Sequence, residues 1–166
     1  FFHQAALVAG KGWTMPLFAN AFVMYAVGAT VGALVSGGLA DRFGARRLLL
    51  GVLAPAAIGL TVLALAGAPW AAWVFMPAIG LTSGGTLTLQ GALWAEVYGT
   101  GHLGAVRSMV YAVMVVSTAA SPVLFGALLD AGVTFETIAA WSVAAAVLAS
   151  GVAGPVAATR GQARRI

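Results

Sequence analysis

Few side chains in this sequence could take part in chemistry, and most of them sit inside long apolar runs. Asn20 and Tyr25 occupy one run, Ser83, Thr86 and Gln90 another, Tyr111 and Thr118 a third, and His3 and Gln4 stand at the start. Amide, hydroxyl and phenol groups in such places can hydrogen-bond a solute or a neighbouring helix. They do not make a nucleophile with its base, and no cluster of His, Asp, Glu or Ser forms a catalytic set, so an intramembrane enzyme is disfavoured. With no cysteine in the chain, disulfides, thiolate metal sites and cysteine nucleophiles are excluded. No cofactor and no metal are expected.

The charged side chains gather elsewhere, most densely between Gly37 and Arg47, in G-G-L-A-D-R-F-G-A-R-R. Long stretches on either side contain no Lys, Arg, Asp or Glu. A short charged turn between two such runs reads as a tight loop on one side of a membrane. Composition agrees. Only 7% of residues are charged, against roughly 25% in soluble domains, and mean hydropathy is +1.00. The 22 glycines suit close helix approach in lipid, where small residues let backbones touch. A pI near 10.4 raises nucleic acid as a partner, but the basic residues are scattered over loop positions and this is rejected.

The elements that must position these groups are apolar segments at about 15–39, 48–67, 70–94, 107–129 and 135–158. Each is near the roughly 20 residues a helix needs to cross the hydrocarbon core. Strands are excluded, because an open sheet edge in lipid leaves backbone groups unpaired. The fold class is therefore all-α, a polytopic transmembrane helix bundle, with residues 1–166 as one membrane domain of five full spans and a partial one. Residues 1–10 read as the tail of a helix, and Lys11–Thr14 as a polar turn with Trp13 at interfacial depth. The opening Phe1-Phe2-His3-Gln4 is not a signal peptide. It is expected to begin inside an apolar segment of a longer protein.

Five crossings place Arg42, Arg46, Arg47, Arg107, Arg160, Arg164 and Arg165 on one side and only Lys11 on the other. The positive-inside rule makes the arginine side, with the C-terminus, cytoplasmic. The acids divide evenly, Asp41 and Glu96 inside, Asp130 and Glu136 outside. The second and fifth segments, with Thr61 in one and Ser142 and Ser150 in the other, look structural and lipid-facing. The other three carry polar and small residues at helical spacing: Asn20, Gly28, Gly32 and Ser36; Ser83, Thr86 and Gln90 with Gly80, Gly84 and Gly91; and Tyr111, Thr118, Ser121 and Phe125, broken by Pro122. A polar face in lipid must meet another helix or a water-filled cavity. Pairs such as Gly28 and Gly32 fit packing within one chain better than dimerisation.

The charged turn resembles the cytoplasmic loop motif of the major facilitator superfamily, G-x-L-a-D-R-x-G-R-[RK]-[RK]. Gly37, Leu39, Ala40, Asp41, Arg42, Gly44, Arg46 and Arg47 match it, and Ala45 departs from it. The resemblance implies a twelve-helix secondary transporter of two six-helix halves; the motif can occur in either, so this chain is helices two to six or helices eight to twelve with a stub ahead, and the second is favoured, the C-terminal half from the end of helix seven through helix twelve. Trp94-Ala95-Glu96-Val97-Tyr98-Gly99 followed by His102-Leu103-Gly104-Ala105-Val106-Arg107 is similar to the tenth-to-eleventh helix connection, and Ser121-Pro122-Val123-Leu124-Phe125-Gly126 to the end of the eleventh. Phe2-His3-Gln4 and the S-P-x-x-F-G-x-x-x-D pattern lean toward monocarboxylate or oxalate–formate-type carriers. Those carriers often have a buried arginine in the eighth helix, and none is present here.

In the motif, Gly37 is expected to let two helices pack closely, Gly44 to take a positive φ, and Asp41 to accept from backbone N–H groups at the next helix start. The resemblance implies that Arg42 and Arg47 pair with Glu96, joined by Arg107, in a gating network with two states. The alternative is that these arginines only set topology. Cavity-facing candidates are Asn20, Tyr25, Ser83, Thr86, Gln90, Tyr111 and Thr118, with Gln90 foremost, and His3 and Gln4 from the stub. The competing role for each is an interhelical hydrogen bond worth about 0.6 kcal/mol. Trp94 reads as an interfacial anchor. No span has an acid or base at mid-depth, so a coupling proton would use His3 or residues outside this sequence. Gly99–Gly104 fits G-x-G-x-x-G, but a membrane helix precedes it where a nucleotide site needs a strand.

The implied partners are the lipid bilayer, the N-terminal half of the same transporter, and a small solute moved by alternating access with or without a coupling proton or counter-solute. The runner-up is a non-transporting receptor or regulator on the same fold. The preference for Arg over Lys points to a bacterial inner membrane.

Overall fold

Among the described residues most of the apolar sequence is helical. The computed structural model describes residues 4–158; His3 and the basic positions 160, 164 and 165 lie outside the described residues. The elements are α1 (Gln4–Gly10), α2 (Met15–Phe43), α3 (Ala45–Leu48), α4 (Ala54–Leu65), α5 (Ala71–Tyr98), α6 (Leu103–Asp130) and α7 (Phe135–Ala158), with no strand among the described residues. Local chemistry sets the ends. Pro16 opens α2, where a missing N–H costs nothing. After α1 and α6 the chain reverses through Gly12 (φ 64°) and Gly132 (φ 81°). At each, crossed bonds run back into the helix, Trp13 N–H to the Val8 carbonyl (2.9 Å) and Val133 N–H to the Leu128 carbonyl (3.0 Å). This is a Schellman closure, which wants a left-handed residue at the glycine.

α2, α5, α6 and α7 are long and apolar enough to cross a membrane. The segment expected at 48–67 is different: its regular helix, α4, has only 12 residues, about 18 Å of rise. Pro55 is the reason. It cannot donate to the Gly51 carbonyl, which instead accepts from Ala54 N–H at 3.0 Å, so the chain from 49 to 53 coils in loose turns. One N–H stranded by this break, that of Ala56, is taken up by Thr82 Oγ1 of α5 at 2.9 Å. An unmet backbone donor in an apolar surround would cost several kcal/mol.

The central contact is α2 on α5, and glycine makes it. A Cβ on Gly28 or Gly32 would collide with the backbone of Pro77 or Leu81, and one on Gly80 or Gly84 with the backbone of Tyr25 or Ala29. Two faces of small residues at a stride of four are thus pressed backbone to backbone. Gly37 does not share in this: a Cβ there would meet Thr88 Cγ2 at 3.7 Å, an ordinary contact. The expected close approach lies in the middle of α2 rather than at the motif glycine. On another face of α5, Gly59 of α4 nestles against Ala78 (2.8 Å from an added Cβ to Ala78 Cβ). α7 packs on α4, and α6 leans on α5 without a single buried residue.

Side-chain cores close the two ends. Leu7, Trp13, Phe18, Leu63 and Met76 cluster at one end, and Ala45, Leu89 and Leu93 at the other. At the first, Lys11 Nζ reaches the Ala66 carbonyl (3.3 Å) and Glu136 Oε1 (3.1 Å), its side chain 6% exposed. Trp13, expected as an interfacial anchor, is 8% exposed and donates from Nε1 to the Gly67 carbonyl at 2.8 Å. Three turns are thereby tied together at this lysine end. The opposite, arginine end carries Arg46 and Glu96. Thr61, Ser142 and Ser150 each donate to the carbonyl four residues back, which suits their structural reading.

The glycine contact sets a measurable expectation. Gly84→Val should lower stability by about 3 kcal/mol, the upper end for overpacking, because the obstacle is backbone. Gly38→Ala, with open space around it, should be neutral or slightly stabilising in the same thermal unfolding measurement in detergent.

Candidate functional site

α5 and α6 are held together so lightly that a seam stays open between them. Phe75 and Ile79 of α5 and Ser121, Pro122 and Phe125 of α6 border a cavity of about 260 Å³ toward the lysine end, which α1, α2, α4 and α7 also line, Gln4 among them. Leu87, Gln90, Gly91 and Trp94 of α5, with Arg107, Tyr111 and Met114 of α6, line a second of about 220 Å³ toward the arginine end. The register joins them. Ser83 lies four residues from both Ile79 and Leu87, and Thr118 four from both Met114 and Pro122, so each falls on the stripe between the cavities. From Phe75 to Trp94 the stripe rises about 28 Å, close to the roughly 30 Å of a hydrocarbon core.

The arginine-end crevice is the polar part of the seam. The Arg107 guanidinium folds back over α5, its Nη2 3.4 Å from where a Cβ on Gly91 would stand. Glycine at 91 leaves it room. The Gln90 amide and the Tyr111 phenol share the crevice, and Trp94 walls it, its ring 6.1 Å from that of Tyr98. Trp94, read from sequence as an interfacial anchor, therefore borders this space.

Beyond the crevice, the charged turn is organised by Glu96. Its Oε1 accepts from Ala45 N–H at 2.9 Å, capping the start of α3, and its backbone carbonyl accepts from Arg46 Nη2 at 3.2 Å. The Arg46 Nε to Glu96 Oε2 separation is 4.0 Å. Gly44 takes the expected positive φ, 82°, which turns α2 into α3. Two expectations change here. Glu96, rather than Asp41, accepts from the next helix start, and Arg46, rather than Arg42 or Arg47, pairs with Glu96. Position around the helix separates them: Asp41, Arg42 and Arg47 are exposed, the Arg42 guanidinium 5.4 Å from the Phe43 ring, whereas Arg46 is half-buried against Glu96 of α5. Arg107 joins the crevice instead of this pair.

The remaining candidates scatter. Asn20 and Thr118 are exposed, Tyr25 and Ser83 half-buried, and Thr86 Oγ1 is buried without a hydrogen-bond partner among the described residues. The structure thus brings Gln90, Tyr111 and Arg107 together, places Gln4 at the far cavity, and leaves Asn20 and Tyr25 on α2 apart from both. Thr82 was not singled out from the sequence; Pro55 was the available signal, since a proline at a helix start strands donors that something must meet. Among the described residues no group of three or more His, Cys, Asp or Glu could hold a metal.

Substitutions at Glu96 separate its two roles. Glu96→Ala should cost about 0.5–2 kcal/mol, the size of a lost helix cap. Glu96→Gln keeps an oxygen for Ala45 N–H and loses only an exposed ion pair, worth about 0–1 kcal/mol. Thermal unfolding should rank the two in that order.

Comparison with known proteins gives one finding. A family model described as Major Facilitator Superfamily matches residues 2–163, whereas no curated protein and no solved structure matches the chain. The match spans the charged turn, the α2–α5 contact and the seam alike. A multi-pass helical membrane protein with this turn, matched almost from end to end, belongs to the major facilitator superfamily, a family of transporters rather than enzymes.

Proposed function

We propose that the chain is the C-terminal half of a secondary active transporter, from the end of helix seven through helix twelve, and that the seam between α5 and α6 is its share of the solute path. One observation carries this reading: two cavities that α5 and α6 both border, one near each end of the bundle. A helix of 28 residues with none buried gains little from its own half and is free to face another. In the full protein that neighbour is the N-terminal half, and the two rock about a central site near the midplane. Ser83 and Thr118 are the polar groups at that depth.

The arginine end faces the cytoplasm of a bacterial inner membrane, a sidedness that the excess of basic residues there supports. There the Glu96 contact to α3 holds the inner ends of α2 and α5 in one of two states, and Asp41, Arg42 and Arg47 are available to the other.

Two measurements test this. Protein made from the complete gene and reconstituted in vesicles should take up a labelled solute from a panel of organic acids, sugars and amino acids, and Gln90→Ala should slow that uptake about fivefold to tenfold. Folded protein that carries nothing would favour the receptor reading. In the cysteine-free sequence, single cysteines replacing Arg47 and His102 should react with an impermeant reagent from the cytoplasmic side, and one replacing Gly132 from the opposite side. Labelling of 47 and 132 from one side would refute the topology.

A further inference from the structure

We propose that the interrupted stretch 49–53 between α3 and α4 is a hinge with two settings on α5, and that the Thr86 hydroxyl holds it in the second. The proposal rests on the two-state reading of the Glu96 contact and adds where the movement is absorbed.

Backbone accounting leads to it. Leu49 N–H goes to the Arg46 carbonyl (3.4 Å), Gly51 and Val52 N–H share the Leu48 carbonyl (3.1 and 3.0 Å), and Ala54 N–H closes on the Gly51 carbonyl (3.0 Å). The peptide joining Val52 to Leu53 is left over. In a continuous helix its carbonyl would accept from Ala56 N–H, but that group goes to Thr82 Oγ1 at 2.9 Å. Its N–H, on Leu53, would reach the Leu49 carbonyl and does not. Neither end of this peptide has a hydrogen-bond partner among the described residues. Val52 and Leu53 are half-buried, and a peptide group left unmet away from water costs about as much as a lost hydrogen bond.

α5 carries an idle group at the same level. Thr86 Oγ1 is buried and has no hydrogen-bond partner among the described residues. α4 and α5 run antiparallel, since Ala56 meets Thr82 and Gly59 meets Ala78. Thr86 follows Thr82 on the same face, about 6 Å nearer the arginine end, so the 52–53 peptide is its counterpart. A second contact fixes that level: a Cβ on Gly85 would stand 3.5 Å from Val52 Cγ2. Leu53 has helical φ and ψ, and free N–H groups at a helix start point out of that end. Its N–H is therefore directed toward the level of Thr86, whose hydroxyl can accept.

Two anchors on α5 bound the stretch. Glu96 holds α3 through Ala45 N–H, and Thr82 holds α4 through Ala56 N–H. Among the described residues, no hydrogen bond ties 49–53 itself to another long helix. When Glu96 releases α3, the slack is taken up here: Leu53 N–H closes on Thr86 Oγ1 while Thr82 keeps Ala56, and α3 shifts against an unmoved α4.

The test uses protein made from the complete gene, in nanodiscs of phosphatidylcholine, with spin labels on cysteines replacing Arg47 of α3 and Leu65 at the far end of α4, both exposed. The label pair should show two distances. Thr86→Val should shrink the second population about threefold to tenfold, and Thr86→Ser, which keeps the hydroxyl, should restore it. The unfolding temperature separates the rungs. Thr86→Val deletes a hydroxyl that the first setting does not use and should hold or raise it, whereas Thr82→Val should lower it. If Thr86→Val does not fold, Thr86→Ala takes its place. A single distance in the parent would overturn the proposal, as would an unchanged second population in folded Thr86→Val. So would a fall in unfolding temperature for Thr86→Val equal to that for Thr82→Val, because the hydroxyl would then serve the first setting. Should solute cross the vesicle membrane while the labels show one distance, the hinge falls and the transporter reading stands. Should the two distances depend on Thr86 while no solute crosses, the hinge stands and the transporter reading falls.

Discussion

Backbone contact between α2 and α5 through four glycines governs the rest of the arrangement. In lipid, apolar side chains gain little by leaving the bilayer for each other, so association depends on how closely two helices can approach. Gly28 and Gly32 facing Pro77 and Leu81, with Gly80 and Gly84 facing Tyr25 and Ala29, bring that approach to its limit. α4 then docks on another face of α5 through Gly59, and α7 on α4. α6 receives no comparable surface. Its loose seat agrees with that rule: none of its residues is buried against a neighbouring helix.

Polar groups in so apolar a chain divide into those that are satisfied and those that are spare. Thr30, Thr61 and Thr88 donate to carbonyls in their own helices, and Thr82 repairs the break that Pro55 makes in α4. Lys11 and Trp13 meet the carbonyls that end α4. These stabilise the bundle and ask for nothing further. The group around Arg107 is the opposite case: Gln90, Arg107 and Tyr111 border a crevice without hydrogen-bonding one another or another described residue.

Much of the fold was legible. Segment lengths gave the helices, the charge distribution gave two unlike ends, and the Gly37–Arg47 turn gave the family. Gly44 behaved as a glycine in that turn must. The pairing inside the motif was not legible, because Arg42, Arg46 and Arg47 are equivalent as residue types. Which of them meets Glu96 depends on the 100° or so that separates neighbours around a helix and on the angle at which α3 leaves α2. The short α4 was half legible: Pro55 marked the break, but hydropathy alone ran through it.

The sequence by itself determined that this chain is helical, crosses a bilayer, and puts Arg42, Arg46, Arg47 and Arg107 at one end, since those depend on composition and spacing along the chain. Tertiary structure decided which glycines touch, that Glu96 rather than Asp41 caps α3, and that Gln90, Trp94, Arg107 and Tyr111 meet around one space. Those are relations between helices, set by crossing and rotation, and a linear order of residues carries no direct record of either.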